Sequence, residues 1–574
     1  MKTFSDLKKN LKLDPSHLKP LRLALLGDSS TQFLNIALRG EAVDSGFHLQ
    51  LWEADFDQIE LQTFDPNSEL YRHQPEIVVL FFATHKLLNN YNKKNPEQQA
   101  FFAESHLSKL KEVVSVIQEN ANAKIICYNQ PEIDDTVFGN FSNSVPSSFL
   151  YQLRKINLEL MNFTESIRNF YVCDLSSVQN RVGRNTLFQP SIYINTEMVL
   201  SIDALPEIAA RTISLVAALN GKLKKCLILD LDNTMWGGII GDDGIENIQV
   251  GSLGIGKAFT ELQHWAKKLK NRGVILCVCS KNTEHIAKEP FEKHPDMVLR
   301  LDDFAVFVAN WENKADNIRH IQQVLNIGFD SMVFLDDNPF ERNLVRENIS
   351  GITVPELPED PAEYLEHLYS LNLFETVSFS GNDSERTKQY QIEAQRVAVQ
   401  KSFVNEDEFL QSLNMISVVE GFNKFNTPRV SQLSQRSNQF NLRTVRYTEG
   451  DIEEIGKSDL YKTFSFTLED KFGDNGLISA IILKKENDST LFIDTWFMSC
   501  RVLKRGMEDF ILNTIMDYAT EHRYAQVKGE YIATSKNEMV EHLFKNLGFS
   551  EIDRYWTIDT TGYTRRKTFI QAKN

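Results

Sequence analysis

Long apolar runs are missing from this chain. No stretch approaches the roughly 20 residues that a membrane-spanning helix needs, so no insertion into a bilayer is expected. The opening residues, MKTFSDLKKNLKLDPSH, carry charges throughout and no apolar segment, so they do not read as a secretory signal. Cysteine is scarce as well. Six cysteines occur in 574 residues, at Cys127, Cys173, Cys226, Cys277, Cys279 and Cys500, with neither disulfide nor metal-ligand spacing. Cys277 and Cys279 fall in an apolar run and read as small core residues. Positive charge is also in deficit. A net charge of −16, with no basic run interleaved with aromatics, argues against a nucleic-acid partner held by a general electrostatic footprint. A cytoplasmic protein is the expectation, and 42% hydrophobic with 24% charged residues is ordinary for a soluble chain. Its length is too great for one core, and about three to four domains are expected.

What the chain does have is concentrated in residues 225–242, KCLILDLDNTMWGGIIGD. Four apolar or small residues read as a buried strand that ends on Asp230, with Asp232 two residues on. Asn233, Thr234, Gly237 and Gly238 follow, so the chain turns sharply there. A carboxylate at the C-terminal end of a parallel strand lies at the mouth of an open α/β sheet, where ligands bind. Two carboxylates spaced i, i+2 on an extended segment point to one side and repel in apolar surroundings, which a cation between them relieves.

Asp230-Leu-Asp232-Asn-Thr234 resembles the first motif of the haloacid dehalogenase (HAD) superfamily, most of whose members are Mg2+-dependent phosphatases. The remaining motifs follow in order. Residues 274–280, VILCVCS, form a strand ending in the hydroxyl of Ser280; Lys314 stands at a helix start; residues 331–339, SMVFLDDNP, end a further strand on Asp336 and Asp337. The resemblance implies a mechanism. Asp230 is the expected nucleophile, and Asp232 the general acid and base. Mg2+ is expected on Asp230, the backbone carbonyl of Asp232 and Asp336, with Asp337 a ligand or its neighbour. Ser280 and Lys314 are expected on the phosphoryl oxygens. Asn233, Thr234, Lys281 and Asn282, which flank these motifs, are read as substrate-binding neighbours.

Taken in order, residues 1–221 alternate buried strands with helical patterns, as in a doubly wound α/β domain. Gly27-Asp28-Ser29 resembles the nucleophile block of SGNH-type esterases. The strand that should end in Gly-x-Asn-Asp ends instead in Ala83-Thr84-His85, and no Asp-x-x-His follows. Ser29 therefore reads as a turn serine and helix cap, and the domain as a non-catalytic assembly or docking unit. Residues 222–357 are the HAD core. Fifty residues separate Asp230 from Ser280 and 34 separate Ser280 from Lys314, which leaves no room for a sizeable cap. Such an open site must act on a phosphate presented by something larger, or borrow a lid from a neighbour. Trp236 and the GGIIGDDG turn are expected as a short flap.

Residues 358–415 read as a helical connector packed between domains, in which Arg386 and Tyr390 either have a structural role or face a ligand. Residues 416–574 alternate strands and helices again. Residues 433–447, LSQRSNQFNLRTVRY, gather planar donors, among them Arg436 and Asn438. They either bind an acidic substrate or tie turns together. Arg501-Val-Leu-Lys504-Arg-Gly506 resembles the Arg-x-x-Gly-x-Gly loop of GNAT acyltransferases, which holds the pyrophosphate of an acyl carrier. Lys504 replaces its first glycine.

The order of these units resembles the FkbH-like family, over essentially the whole chain. The fold class so implied is multidomain α/β: a doubly wound SGNH-like domain, a capless HAD Rossmann-like core and a GNAT-like α+β domain. In that family phosphate removal is joined to acyl transfer, some members passing a glyceryl unit from 1,3-bisphosphoglycerate to an acyl carrier protein. The resemblance makes Cys500 the candidate thiol acceptor, with a strand residue facing the core as the alternative, and Arg501 a substrate-binding residue. Three functions are weighed: a Mg2+ phosphatase coupled to glyceryl or acyl transfer, a phosphatase on a sugar or polyol phosphate, and a non-catalytic scaffold. The partners expected are a small phosphorylated substrate and an acyl carrier protein, with a homo-oligomer left open.

Overall fold

A computed structural model of the chain describes residues 2–379, 386–400, 403–499, 502–503, 505–534 and 536–573. Cys500, Arg501 and Lys504, which carry the thiol-acceptor and acyl-carrier expectations, lie outside the described residues. The chain forms two compact units, Met1–Ala217 and Ala218–Asn574. Among the described residues no helix is long and apolar enough to cross a membrane.

The first unit holds five parallel strands: β1 (Lys19–Gly27), β2 (Phe47–Glu53), β3 (Ile77–Phe81), β4 (Lys124–Tyr128) and β5 (Phe170–Cys173). Their order is β2-β1-β3-β4-β5, a doubly wound arrangement. β3 is buried along its whole length because helices cover a parallel sheet on both faces. At the end of β1 the Asp28 carboxylate accepts a hydrogen bond from the Ala83 N–H at 2.8 Å, and burial pushes its pKa up to about 7. Ser29 does not cap a helix. The next helix begins at Gln32, after Thr31, and the Ser29 hydroxyl is buried in the turn before it.

One close approach in this unit makes a direct prediction. A Cβ on Gly40 would stand 2.3 Å from the carbonyl oxygen of Leu7, a backbone atom that cannot swing aside. Gly40→Ala should lower the unit's stability by about 1–3 kcal/mol, the usual cost of overpacking. Thermal unfolding checks it, and an unchanged midpoint would show that the Phe4–Asn10 and Gln32–Asp44 helices, which carry Leu7 and Gly40, separate without cost.

The second unit contains two sheets. The first is parallel, with β6 (Cys226–Leu229), β7 (Ile275–Ser280), β8 (Phe304–Ala309) and β9 (Met332–Leu335) in the order β8-β7-β6-β9. Alternate residues of β6 serve opposite faces. Leu227 and Leu229 join Phe259 and Leu262 of the Gly256–Asn271 helix on one side. Cys226 and Ile228 join Cys277, Cys279 and Ile318 on the other, so these cysteines are core residues.

Among the described residues the second sheet has eight strands, β10 (Ile416–Glu420), β11 (Tyr461–Asp470), β12 (Gly473–Lys485), β13 (Thr490–Met498), β14 (Gln526–Glu530), β15 (Ser550–Ile552), β16 (Tyr555–Asp559) and β17 (Gln571–Lys573). Their order is β15-β16-β14-β13-β12-β11-β10-β17. β13 and β14 run parallel, joined through the Met507–Glu521 helix, but pair only over residues 490–493 of β13. Residues 440–442 take the place β14 leaves: Met498 N–H donates to Phe440 C=O at 3.1 Å, and Leu442 N–H to Trp496 C=O at 3.3 Å.

Much of the planar-donor cluster holds this insertion. Asn441 Oδ1 accepts from Thr444 N–H at 2.8 Å, Arg443 pairs with Asp494 at 2.8 Å and Glu530 at 3.0 Å, and Arg446 donates to the Ser434 and Ser437 carbonyls. The Arg386–Gln400 helix joins the two sheets. Its Gln391 amide donates to the Phe304 carbonyl on β8 at 2.8 Å, and its Arg396 pairs with Asp470 of β11 at 2.8 Å.

Candidate active site

The parallel sheet of the second unit reverses its strand order at β6. The chain goes from β6 to β7 on one side and later to β9 on the other, and the crevice at the C-terminal ends of β6 and β9 is where such sheets take ligands. Asp230 follows β6, and Asp336 and Asp337 follow β9. One carboxylate oxygen from each of the three lies within 4.8 Å of the others. Asp336 is fully buried and Asp230 is 6% exposed. Lys314, at the start of the Lys314–Leu325 helix behind β8, sends its ammonium between two of them, 2.6 Å from Asp336 and 3.0 Å from Asp230. The helix start is fixed locally, since the Asn313 side chain caps it by accepting from Ala315 N–H.

The charges decide what fits here. Burial works against the Lys314 ammonium, but Asp230 and Asp336 outweigh it and hold its pKa above the usual lysine value. Burial and the Asp230 charge push both Asp336 and Asp337 up, against the pull of Lys314. Three carboxylates facing one ammonium leave two negative charges uncompensated. The donor set is all oxygen and hard, so it suits a small divalent cation such as Mg2+.

Asp232 is held apart from that group. Its Oδ1 accepts from the Trp236 indole N–H at 2.9 Å and from Ile240 N–H at 3.0 Å, and its Oδ2 accepts from the Asn282 amide at 2.9 Å. Burial pushes its pKa up, these three donors pull it down, and the Asp230 charge adds to the upward push. Asn233 makes the turn possible. It adopts the left-handed conformation, φ 54°, that asparagine tolerates, and its Oδ1 accepts from Gly238 N–H at 3.0 Å.

Several residues read as substrate-binding contact the acids or their surroundings. Thr234 accepts from Asp337 N–H at 3.2 Å and donates to Asp337 Oδ1 at 3.4 Å. Asn282 bridges Asp232 and the Ser280 hydroxyl, the latter at 3.3 Å. Lys281 pairs with Glu341 at 2.6 Å. Trp236 is not a flap: it is fully buried, its ring 5.6 Å from that of Phe291. Arg436 and Asn438 lie away from the carboxylates. The Arg436 carbonyl accepts from Lys225, the residue before β6, at the other end of that strand, and Asn438 donates to Gly221 C=O at 3.4 Å.

Arg342 escaped the sequence reading. It is buried, donates to the Asp336 and Asp337 carbonyls at 2.8 and 2.6 Å, and is anchored by Glu356 at 2.7 Å. Its six-residue offset from Asp336, on the helix that follows, was the available signal. Among the described residues the intervals 230–280 and 280–314 contain only short turns, core helices, β7 and β8, and no lid domain.

Fold and site together define a multidomain α/β protein with a carboxylate centre at a sheet switch point. The model of the FkbH N-terminal domain matches residues 22–217. The chain is also 56% identical to the N-terminal part of the protein BF1531 from Bacteroides fragilis, containing a phosphatase domain and crystallised in complex with Mg. That match covers 66% of this chain and all of the other, with a TM-score of 0.64. This chain belongs to the FkbH-like family. The ribosomal-protein-S18-alanine N-acetyltransferase from Escherichia coli is similar at 13% identity over 26% of this chain and 98% of its own, with a TM-score of 0.21. The spermidine N-acetyltransferase from Vibrio cholerae, solved with CoA and spermine, is similar at 13% identity over 25% of this chain and 96% of its own, also at 0.21. A comparison with curated proteins found no match.

Proposed function

We propose that this chain is a Mg2+-dependent phosphohydrolase of the HAD type that passes through an aspartyl-phosphate. The observation that carries the reading is the convergence of Asp230, Asp336 and Asp337 around one lysine. The 56% identity to a phosphatase-domain structure complexed with Mg supports it. Asp230, Asp336, Asp337 and the Asp232 carbonyl would hold the Mg2+, whose charge offsets the repulsion between carboxylate and phosphoryl group. An Asp230 oxygen attacks phosphorus and the bond to the leaving oxygen breaks, while the Asp232 carboxyl gives that oxygen its proton. Asp232 then takes a proton from water as the water oxygen attacks phosphorus and releases Asp230. Lys314 stays charged throughout and, with the Ser280 hydroxyl, meets the non-bridging oxygens.

The absence of a lid over the described core supports a phosphate presented on something larger than a free metabolite. Membership of the FkbH-like family supports the finer reading, in which a glyceryl or acyl unit passes to a carrier protein. Release of inorganic phosphate by the full chain with Mg2+ tests both, using phosphate monoesters and acyl phosphates with and without carrier protein. No release from any substrate ends the phosphatase reading. Release without any acylated carrier ends the transfer reading and leaves a sugar or polyol phosphatase.

The role given to Asp232 makes its own prediction. Trp236→Phe keeps the ring in the core and removes one donor to Asp232. It should lower kcat on the order of tenfold, as expected for a hydrogen bond to a charged group, with KM little changed. An unchanged kcat would take the indole out of the positioning of Asp232.

A further inference from the structure

A cavity of about 390 Å³ lies in the second unit, at the opposite end of the parallel sheet from the carboxylates. Lys225 directly precedes β6, and Asp330 and Ser331 precede β9, whereas Asp230 and Asp336 follow those strands. Each strand is four residues long, so about 13 Å of backbone, at roughly 3.3 Å per residue, separates the two ends. The cavity is therefore not part of the phosphatase centre.

Its charge is the reverse of that of the rest of the chain. The described lining includes five basic side chains, Lys225, Arg386, Arg429, Arg436 and Lys536, and one acid, Asp330. They come from four separate segments: the start of β6, the Arg386–Gln400 helix, the Thr427–Arg436 helix and the stretch after β14. A smaller adjoining cavity shares Lys225, Arg386 and Arg436 and adds Lys224, Arg272 and one acid, Glu375. Asp330 serves several of these cations at once: Lys536 pairs with its carboxylate, and Lys224 donates to its carbonyl at 2.7 Å. Burial pulls the Lys224 ammonium down to about 8, with Lys536 adding to that pull and Asp330 opposing it. In a chain of net charge −16, such convergence is not a sampling of the surface. The other wall is apolar, with Ile327, Leu433, Phe440 and Met498 beside Tyr390.

We propose that this cavity binds a compact organic anion bearing a phosphoryl dianion or a carboxylate, its charged end on Arg386, Arg429 and Arg436 and its apolar body against Phe440 and Met498. Arginine forks pair bidentately with either group. The volume falls in the range of small-molecule sites, about 300–1,000 Å³. Because the site sits between the phosphatase sheet and the β10–β17 sheet, the ligand bridges them and is held without being cleaved.

The test is calorimetric titration of the full chain with phenylphosphonate, a phosphoryl dianion on an aromatic ring that cannot be hydrolysed, and with inorganic phosphate. Chelator is present throughout, so the carboxylate centre, lacking a cation, repels both probes. Saturable binding of phenylphosphonate is expected, several-fold tighter than that of phosphate because of the apolar wall. Arg386→Gln and Arg436→Gln should each weaken it at least about tenfold, as the loss of a charge-assisted pair does, and Asp230→Asn should leave it unchanged. If a glutamine variant fails to fold, Arg436→Lys keeps the charge, removes the fork and should still weaken binding. No saturation at millimolar probe, undiminished binding in the arginine variants, or loss of binding in Asp230→Asn would each overturn the proposal.

Discussion

Asp230→Asn should abolish phosphate release while leaving the fold intact. Asparagine has the shape of aspartate but no anionic oxygen to attack phosphorus, so the rate should fall by at least about two to four orders of magnitude, the range seen when catalytic groups are removed. The change gives up the 3.0 Å ion pair with Lys314 but no packing volume. The backbone N–H of Asp230 keeps its bond to the Leu335 carbonyl at 2.9 Å, and Lys314 keeps Asp336 at 2.6 Å. The change also removes a charge that repels Asp336 and Asp337. The unfolding midpoint should therefore hold or rise. Phosphate release and thermal unfolding, measured on the same preparation, decide the matter. A folded variant retaining more than about a tenth of wild-type activity would remove Asp230 as the nucleophile.

Chelation should have an effect of the same order. With Asp230, Asp336 and Asp337 converging on one ammonium, that of Lys314, a phosphate would meet an excess of negative charge, so activity should vanish in excess chelator and return with Mg2+. Asp336→Ala should weaken Mg2+ activation far more than Ser280→Ala, because Asp336 is a fully buried member of the carboxylate group and Ser280 contributes a neutral hydroxyl outside it. Stability gives an independent measure. Mg2+ at a hundredfold excess over its Kd should stabilise the wild-type chain by about 2.7 kcal/mol. Ser280→Ala should keep that gain and Asp336→Ala should lose most of it. Full activity in chelator would end the metal assignment.

The sequence by itself determined the multidomain α/β class and the carboxylate, hydroxyl and lysine positions on their strands and helix. Those signals are local: four apolar residues followed by an acid mark a buried strand and what stands at its tip, wherever the strand later packs. It also left no room for a cap between the motifs, and among the described residues the intervals on either side of Ser280 hold only core turns, helices and strands. The partners of the polar neighbours were set only by tertiary structure. Thr234, Lys281 and Asn282 look like ligand-binding residues in the sequence, yet each meets a specific side chain brought in by packing: Asp337, Glu341 and Asp232. Trp236 looks like a flap beside two glycines, yet its large apolar ring is buried in the core while its one polar atom steadies Asp232. The planar-donor segment divides for the same reason. Asn441 and Arg443 are used up on the wedge that β14 vacates, and Arg436 is carried to the far end of β6. A side chain's type is set by its codon, but its partner is set by which strand ends meet. The cationic cavity, assembled from four distant segments, exists only once they have met.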